Sequence, residues 1–181
     1  MRELSLHVLD IVQNSIAAGA RTVDVVISED EACDLLTIEV ADDGAGIPAD
    51  ILESVLDPFY TTRSTRRVGL GLPLFREAAR AAGGDLHVES RPDQGTRVRA
   101  TFKMSHIDRA PLGDMAQTVA LLVVCNPDVR FRYRHTRGHV KFSFDSAEFR
   151  NMLGDIPPTN PALAAVLKGA LREGLGPVQR A

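Results

Sequence analysis

The chain has 181 residues, 44% hydrophobic and 25% charged, which suits an ordinary globular protein with room for one full domain and an appendage. A formal net charge of −3 argues against bulk affinity for nucleic acid. Two cysteines give no disulfide or metal framework, "MRELSLHVLDIVQN" turns polar too early for a signal peptide, and no run reaches membrane-spanning length, so a cytoplasmic protein is expected.

The first element is a helix. Leu6, Leu9, Val12 and Ile16 sit at helical spacing, and Leu4, Val8 and Ile11 widen the apolar arc, so the helix should be buried. Yet His7, Asp10 and Asn14 share one stripe of it, and a carboxylate and a carboxamide one turn apart need partners in such a place. Gly19 ends the helix. "RTVDVVIS" and "DLLTIEVA" then read as the two strands of a hairpin. In "ADDGAGIP", Asp42 stands at a strand end where it can accept a hydrogen bond from an amine, and Gly44 and Gly46 let the backbone turn and approach a ligand. A plain strand-ending turn accounts for the same residues.

A short helix, "ADILESVLD", leads into "FYTTRSTRRVGLG", which is basic, rich in hydroxyls and without periodicity. Its Gly69-x-Gly71 pair precedes a helix start, where backbone N–H groups suit an anion, and Arg63, Arg66 and Arg67 strengthen that reading over a solvated loop. Pro73 opens the helix "PLFREAARAA", Gly83 and Gly84 close it, and "DLHVESRPDQGTRVRATFKM" reads as two strands around a turn. This order predicts an α+β fold over residues 1–104, a two-layer sandwich with a mixed sheet and helices on one face.

Residues 105–113 read as a linker. Asp114 caps a helix running to about Cys125. "DVRFRYRH" and "HVKFSFD" alternate around "TRG", which sets Val129, Phe131, Tyr133, Val140, Phe142 and Phe144 on one face. "DSAE" is a capping box of Asp145 and Glu148, and "NPALAAVLKGALREGL" is a helix capped by Asn160 with Leu163, Val166, Leu167 and Leu171 on one face. Residues 114–181 therefore form a small αββαα unit. The charge balance divides in the same way, with 11 basic against 17 acidic residues in 1–104 and 10 against 7 in 105–181. Arg130, Arg132 and Arg134, alternating with aromatics, fit nucleic acid or an acidic partner, or, better, the solvated face of a half-buried hairpin.

In this order, Asp10-x-x-x-Asn14, Asp42-x-Gly44-x-Gly46, "DPFYTTR", Gly69-x-Gly71 and "GGDLHVES…GT" resemble the Bergerat-fold ATPase superfamily over residues 3–102. That superfamily includes DNA gyrase, the mismatch-repair protein MutL, the ninety-kilodalton heat-shock chaperone, histidine kinases and anti-sigma-factor kinases. The resemblance implies the Bergerat ATP-binding fold, with ATP and Mg²⁺ as ligands. It implies that Asn14 holds the Mg²⁺ that bridges the phosphates, and that Asp10 activates the attacking group from a position where glutamate is commoner. Asp42 would accept from the adenine amine, with Gly44 and Gly46 beside it and Ile47 as the apolar floor. Thr61 and Thr62 fall in a lid segment, Gly69, Leu70 and Gly71 would cradle phosphates, and Thr96 would stand near the adenine–aspartate contact.

The function so implied is phosphotransfer from ATP to a His or Ser of a partner protein in trans. A MutL-like ATPase that controls protein association and a non-catalytic ATP sensor are the alternatives. No hairpin with a phosphoacceptor histidine is read ahead of Asn14, and His7 reads as packing or as a support behind the site residues. ATP and another protein are the expected partners, membrane and nucleic acid are not, and a homodimer is left open.

Overall fold

A computed structural model describes residues 3–52, 54–56, 71–153 and 161–181. Helix α1 (Leu4–Ala17) buries Leu4, His7, Val8, Ile11, Val12 and Ser15, while Leu6 is 40% exposed and Leu9 and Ile16 only flank the core. The apolar arc of the sequence is wider than the stripe one helix can press against a sheet, so Leu6 is left outside. Strands β1 (Thr22–Asp30) and β2 (Leu35–Asp42) form the expected antiparallel hairpin, with Val25 opposite Val40 and Ile27 opposite Ile38. The short helix α2 (Ala49–Leu52) and a 3₁₀ turn at Ser54–Leu56 follow. Helix α3 (Gly71–Ala81) then leads into strands β3 (Leu86–Ser90) and β4 (Thr96–Lys103), paired around the turn read from the sequence.

The rest of the chain follows the αββαα order: α4 (Met115–Cys125), β5 (Arg130–Arg137), β6 (Val140–Asp145), α5 (Ser146–Leu153) and α6 (Pro161–Arg180). Its hairpin joins the sheet of the first half. One six-stranded mixed sheet results, ordered β3-β4-β2-β1-β5-β6, in which β5 runs parallel to β1 and every other pair is antiparallel. One row across all six strands, Leu86, Ala100, Ile38, Ile27, His135 and Phe142, lies on the helix-covered face. The opposite face carries charged pairs, among them Arg97 with Glu39 and Arg132 with Asp24, each at 2.5 Å.

Asp114 accepts a hydrogen bond from the Gln117 N–H at 2.9 Å and caps α4. Asp145 accepts from the Ala147 N–H at 2.9 Å at the start of α5. The buried stripe of α6 is Leu163, Leu167, Leu171, Leu175 and Val178, whereas Val166, expected on that face, is 61% exposed. Leucines four apart define a row that drifts around the helix, and a residue three after Leu163 falls off its other flank. No described helix is long and apolar enough to cross a membrane.

His7 stands between α1 and α3. It is 2% exposed, stacks on Phe75 with ring centroids 5.0 Å apart, and its Nδ1 has no hydrogen-bond partner among the described residues. Burial pushes its pKa down from 6.5 to about 4. Between those values the unfolded chain binds the proton and the native one does not, so stability falls as pH falls through that window. His7 therefore costs about 2 kcal/mol of stability between neutral pH and about pH 5. Urea unfolding across that range should show the loss in the native chain, and a His7→Phe variant should lack that part of the slope.

Candidate functional site

Asp42 ends β2 beside the C-terminal turn of α1. The Ser15 hydroxyl donates to its Oδ2 at 2.6 Å, the Gly44 N–H to its Oδ1 at 2.9 Å and the Thr96 N–H to the same Oδ1 at 3.2 Å. Three donors from three segments fix the carboxylate plane. A carboxylate has about four acceptor positions, so one on Oδ2 is left for an incoming donor.

The backbone around Asp42 is close-packed. A Cβ added at Gly44 would lie 3.0 Å from the Ala18 carbonyl oxygen, which also accepts the Ala45 N–H at 3.0 Å. Gly46, at φ +69, has the Arg91 carbonyl oxygen 2.0 Å from where its Cβ would be. Gly95, at φ +79, has the Asp42 carbonyl oxygen at 1.8 Å by the same measure. Both glycines need the left-handed conformation and the missing side chain. Between them, Ser90 Oγ accepts the Ile47 N–H at 2.8 Å and donates to the Gly95 carbonyl at 2.8 Å, with Thr96 Oγ1 2.9 Å away. Ile47 is half-buried beside this network.

Along α1, Asp10 is half-buried and Asn14 exposed. A Cβ on Gly71 would lie 3.6 Å from Asn14 Nδ2 and 3.7 Å from Asp10 Cβ, so the first residue of α3 stands over the Asp10–Asn14 stripe. The N–H groups of an opening helix turn lack partners within the helix and carry partial positive charge. The residues expected from the sequence thus form two clusters beside α1. Asp10, Asn14 and Gly71 make the first; Asp42, Gly44, Gly46, Ile47 and Thr96 make the second, with Ser15 between them. Thr61, Thr62, Gly69 and Leu70 lie outside the described residues, as do Arg63, Arg66 and Arg67. Among the described residues no three His, Cys, Asp or Glu side chains gather to hold a metal.

Sequence reasoning missed Ser15, Ser90 and Gly95. Ser15 had a signal, because a hydroxyl inside the buried stripe of a helix needs an acceptor. Asp43, the second acid of the "DD" pair, is a clamp: its Oδ1 accepts the Arg21 N–H at 2.7 Å and the Thr22 N–H at 2.8 Å. Burial raises the Asp43 pKa, and the Thr22 and Arg21 N–H groups outweigh it and hold the carboxyl below its ordinary value.

Comparison with known proteins relates the chain to a wider group. The profile of the family described as "Histidine kinase-, DNA gyrase B-, and HSP90-like ATPase" matches residues 2–106. The sensor protein kinase PilS of Pseudomonas aeruginosa is 35% identical over 105 residues, which are 55% of this chain and 20% of that protein. Sporulation kinase A of Bacillus subtilis is 32% identical over 96 residues, 52% of this chain and 15% of that protein. The chain therefore spans a fifth or less of these relatives. Among solved structures, the MutL ATPase domain of Aquifex aeolicus complexed with ADP matches with a TM-score of 0.55 and 17% identity, over 78% of this chain and 63% of that one. This likeness is one of fold, and its coverage reaches past residue 106 into the tail.

The contact behind Asp42 sets a test. Gly95→Ala should destabilise the protein by more than about 2 kcal/mol, because a side chain there meets backbone as well as an unfavourable φ. Gly138→Ala, at φ +55 with nothing within 4 Å of the added Cβ, should cost about 1 kcal/mol. Urea denaturation of both variants measures the difference.

Proposed function

The chain belongs to the histidine kinase-, DNA gyrase B- and HSP90-like ATPase family, and from that premise we propose that it binds Mg·ATP and transfers the γ-phosphoryl group to a His or Ser of a partner protein in trans. The observation that supports this most is the pair of clusters beside α1, a pinned carboxylate with one acceptor position left in one and Asp10 and Asn14 under Gly71 in the other. The spare position on Asp42 Oδ2 accepts the adenine amine. Gly44 admits the base, Ile47 floors it and Thr96 holds the Asp42 plane from the far side. Gly71 offers its backbone N–H to phosphate oxygens, and the family resemblance assigns Gly69 and Leu70 to the same phosphates and Thr61 and Thr62 to the lid segment.

Asn14 offers a neutral carboxamide oxygen, a hard donor that suits Mg²⁺ together with phosphate and water oxygens, and the described residues supply no all-protein cage that would favour another ion. When bound there, the ion would neutralise phosphate charge. Asp10 accepts the proton of the attacking imidazole or hydroxyl as the new bond to the γ-phosphorus forms and the bond from that phosphorus to the β–γ bridging oxygen breaks, with ADP as the leaving group. Its side chain is one methylene shorter than glutamate, so the attacking group must come closer, which favours an acceptor delivered by a bound protein over free water. An ATPase whose nucleotide state governs association is the second reading, favoured by the fold likeness to MutL that extends into the tail.

Incubation with γ-labelled ATP and Mg²⁺, with and without candidate partners, separates the readings. Label on a partner is expected. Free phosphate alone supports the second reading, and binding without either product refutes both. Asn14→Ala should weaken Mg-dependent ATP binding by about ten-fold or more and Asp42→Asn by a similar factor. Asp10→Asn should keep the affinity and lose turnover by about 100-fold. Unchanged affinity in both Asn14→Ala and Asp42→Asn would sink the assignment.

A further inference from the structure

We infer that residues 104–113 are a strut that sets the position of α1 for phosphate binding, with Arg109 and Gly113 as its positioning residues; this rests on the nucleotide reading above. The need for it begins at the start of α1. Glu3 occupies the N-cap position in extended conformation, φ −140 and ψ 145, and makes no capping hydrogen bond through its side chain. The first N–H groups of a helix still require acceptors. Here they take them from the linker: the Leu4 N–H donates to the Pro111 carbonyl at 3.0 Å and the Ser5 N–H to the Leu112 carbonyl at 2.8 Å.

Those two carbonyls are held in place by their own braces. Arg109 Nε donates to the Met104 carbonyl at 2.9 Å and Nη1 to the Ala110 carbonyl at 3.3 Å, so one guanidinium joins the end of β4 to the residue before Pro111. The backbone between them is turned by His106 N–H to Lys103 O at 3.2 Å and Arg109 N–H to His106 O at 3.1 Å. Ala110 and Leu112 pack against the core. Gly113, at φ +83, closes the segment against α1, where an added Cβ would fall 2.4 Å from Ser5 Oγ and 2.9 Å from Glu3 Cβ. Asp114 follows at once as the cap of α4. The linker is thus a shaped piece of backbone, fixed to β4 at one end and to α4 at the other, with its carbonyls against the start of α1.

Asp10 and Asn14 lie about two and three turns further along that helix, and their placement under Gly71 depends on where its N-terminal end is anchored. Asp42 is held differently: it meets α1 through Ser15, in the last turns of the helix and far from the strut, while the Gly44 and Thr96 N–H groups hold it from outside the helix. Loosening the strut should therefore weaken the phosphate end and spare the adenine end. A general loss of stability would weaken both.

The test uses the full chain as wild type, Arg109→Ala, Arg109→Lys and Gly113→Ala. Titration calorimetry gives affinities for Mg·ATP and for adenosine, and amide hydrogen exchange reports on Leu4 and Ser5. Mg·ATP affinity should fall by about three- to ten-fold in Arg109→Ala and Gly113→Ala, with adenosine affinity changed less than about two-fold. Arg109→Lys, able to reach one carbonyl at a time, should recover part of the loss. Exchange at Leu4 and Ser5 should accelerate in Arg109→Ala whether or not nucleotide is present. Equal losses for both ligands, or unchanged Mg·ATP affinity, would overturn the strut. Unchanged exchange at Leu4 and Ser5 would overturn it even if the wild type bound no nucleotide, a result that by itself refutes the nucleotide reading. Arg109→Ala leaves the left-handed turn at Gly113 intact, so the comparison survives if Gly113→Ala fails to fold.

Discussion

The hydrogen bond from Ser15 to Asp42 joins the helix layer to the sheet at the point where the candidate chemistry is assembled. An inward-facing carboxylate is tolerated only when its oxygens are answered, and Asp42 is answered by a helix hydroxyl and by two N–H groups from separate turns. Each donor dictates the course of a segment. Ser15 fixes the rotation of α1, which in turn aims Asp10 and Asn14. Gly44 fixes the sharp exit from β2, and Thr96 brings in the β3–β4 turn, where Gly95 must lack a side chain to sit against Asp42. Remove the carboxylate and three neighbouring segments lose their common reference.

A second polar junction lies across the sheet. His135 on β5 is 1% exposed; its Nε2 lies 2.7 Å from Glu29 on β1 and its Nδ1 3.1 Å from the Tyr133 hydroxyl. The hydrogen bond with His135 holds the Glu29 carboxyl below its ordinary pKa despite partial burial, and burial pushes the Tyr133 hydroxyl up. Polar groups committed in this way favour a single register for the parallel pair, since a one-residue slip would turn His135 toward the open face and leave Glu29 without it. Together with the linker carbonyls, this seam ties residues 105–181 to the first half through both layers of the fold.

Much of this was legible in the sequence, and the failures have physical causes. The β1–β2 and β3–β4 hairpins, the caps Asp114 and Asp145 and the stripe of Asp10 and Asn14 are local patterns, set by periodicity and turn chemistry. The joining of β5 to β1 is not local. Alternation along "DVRFRYRH" states that one face is buried and says nothing about which strand lies alongside. Leu6 and Val166 were misplaced because apolar character alone does not fix the edge of a buried stripe. The strut left hardly any trace, since its acceptors are main-chain carbonyls that every residue owns. Only Gly113, with its left-handed backbone, marks the spot. At the site, Asp42, Gly44 and Gly46 announced themselves as a motif, whereas Ser15 and Ser90 act through partners distant in sequence.

The parallel pairing of β1 with β5 also bears on how the chain is made. Until residues 130–137 leave the ribosome, β1 presents an open edge, rich in Val and Ile, with no strand beside it. Until residues 111 and 112 follow, α1 starts with uncapped N–H groups. The nascent first half is therefore an incomplete sheet with a sticky border, and closure of a long loop must precede the gain from the final strand. Slow, late-closing folding with a window of vulnerability to edge-to-edge association is the kinetic cost of placing the last strand pair next to the first.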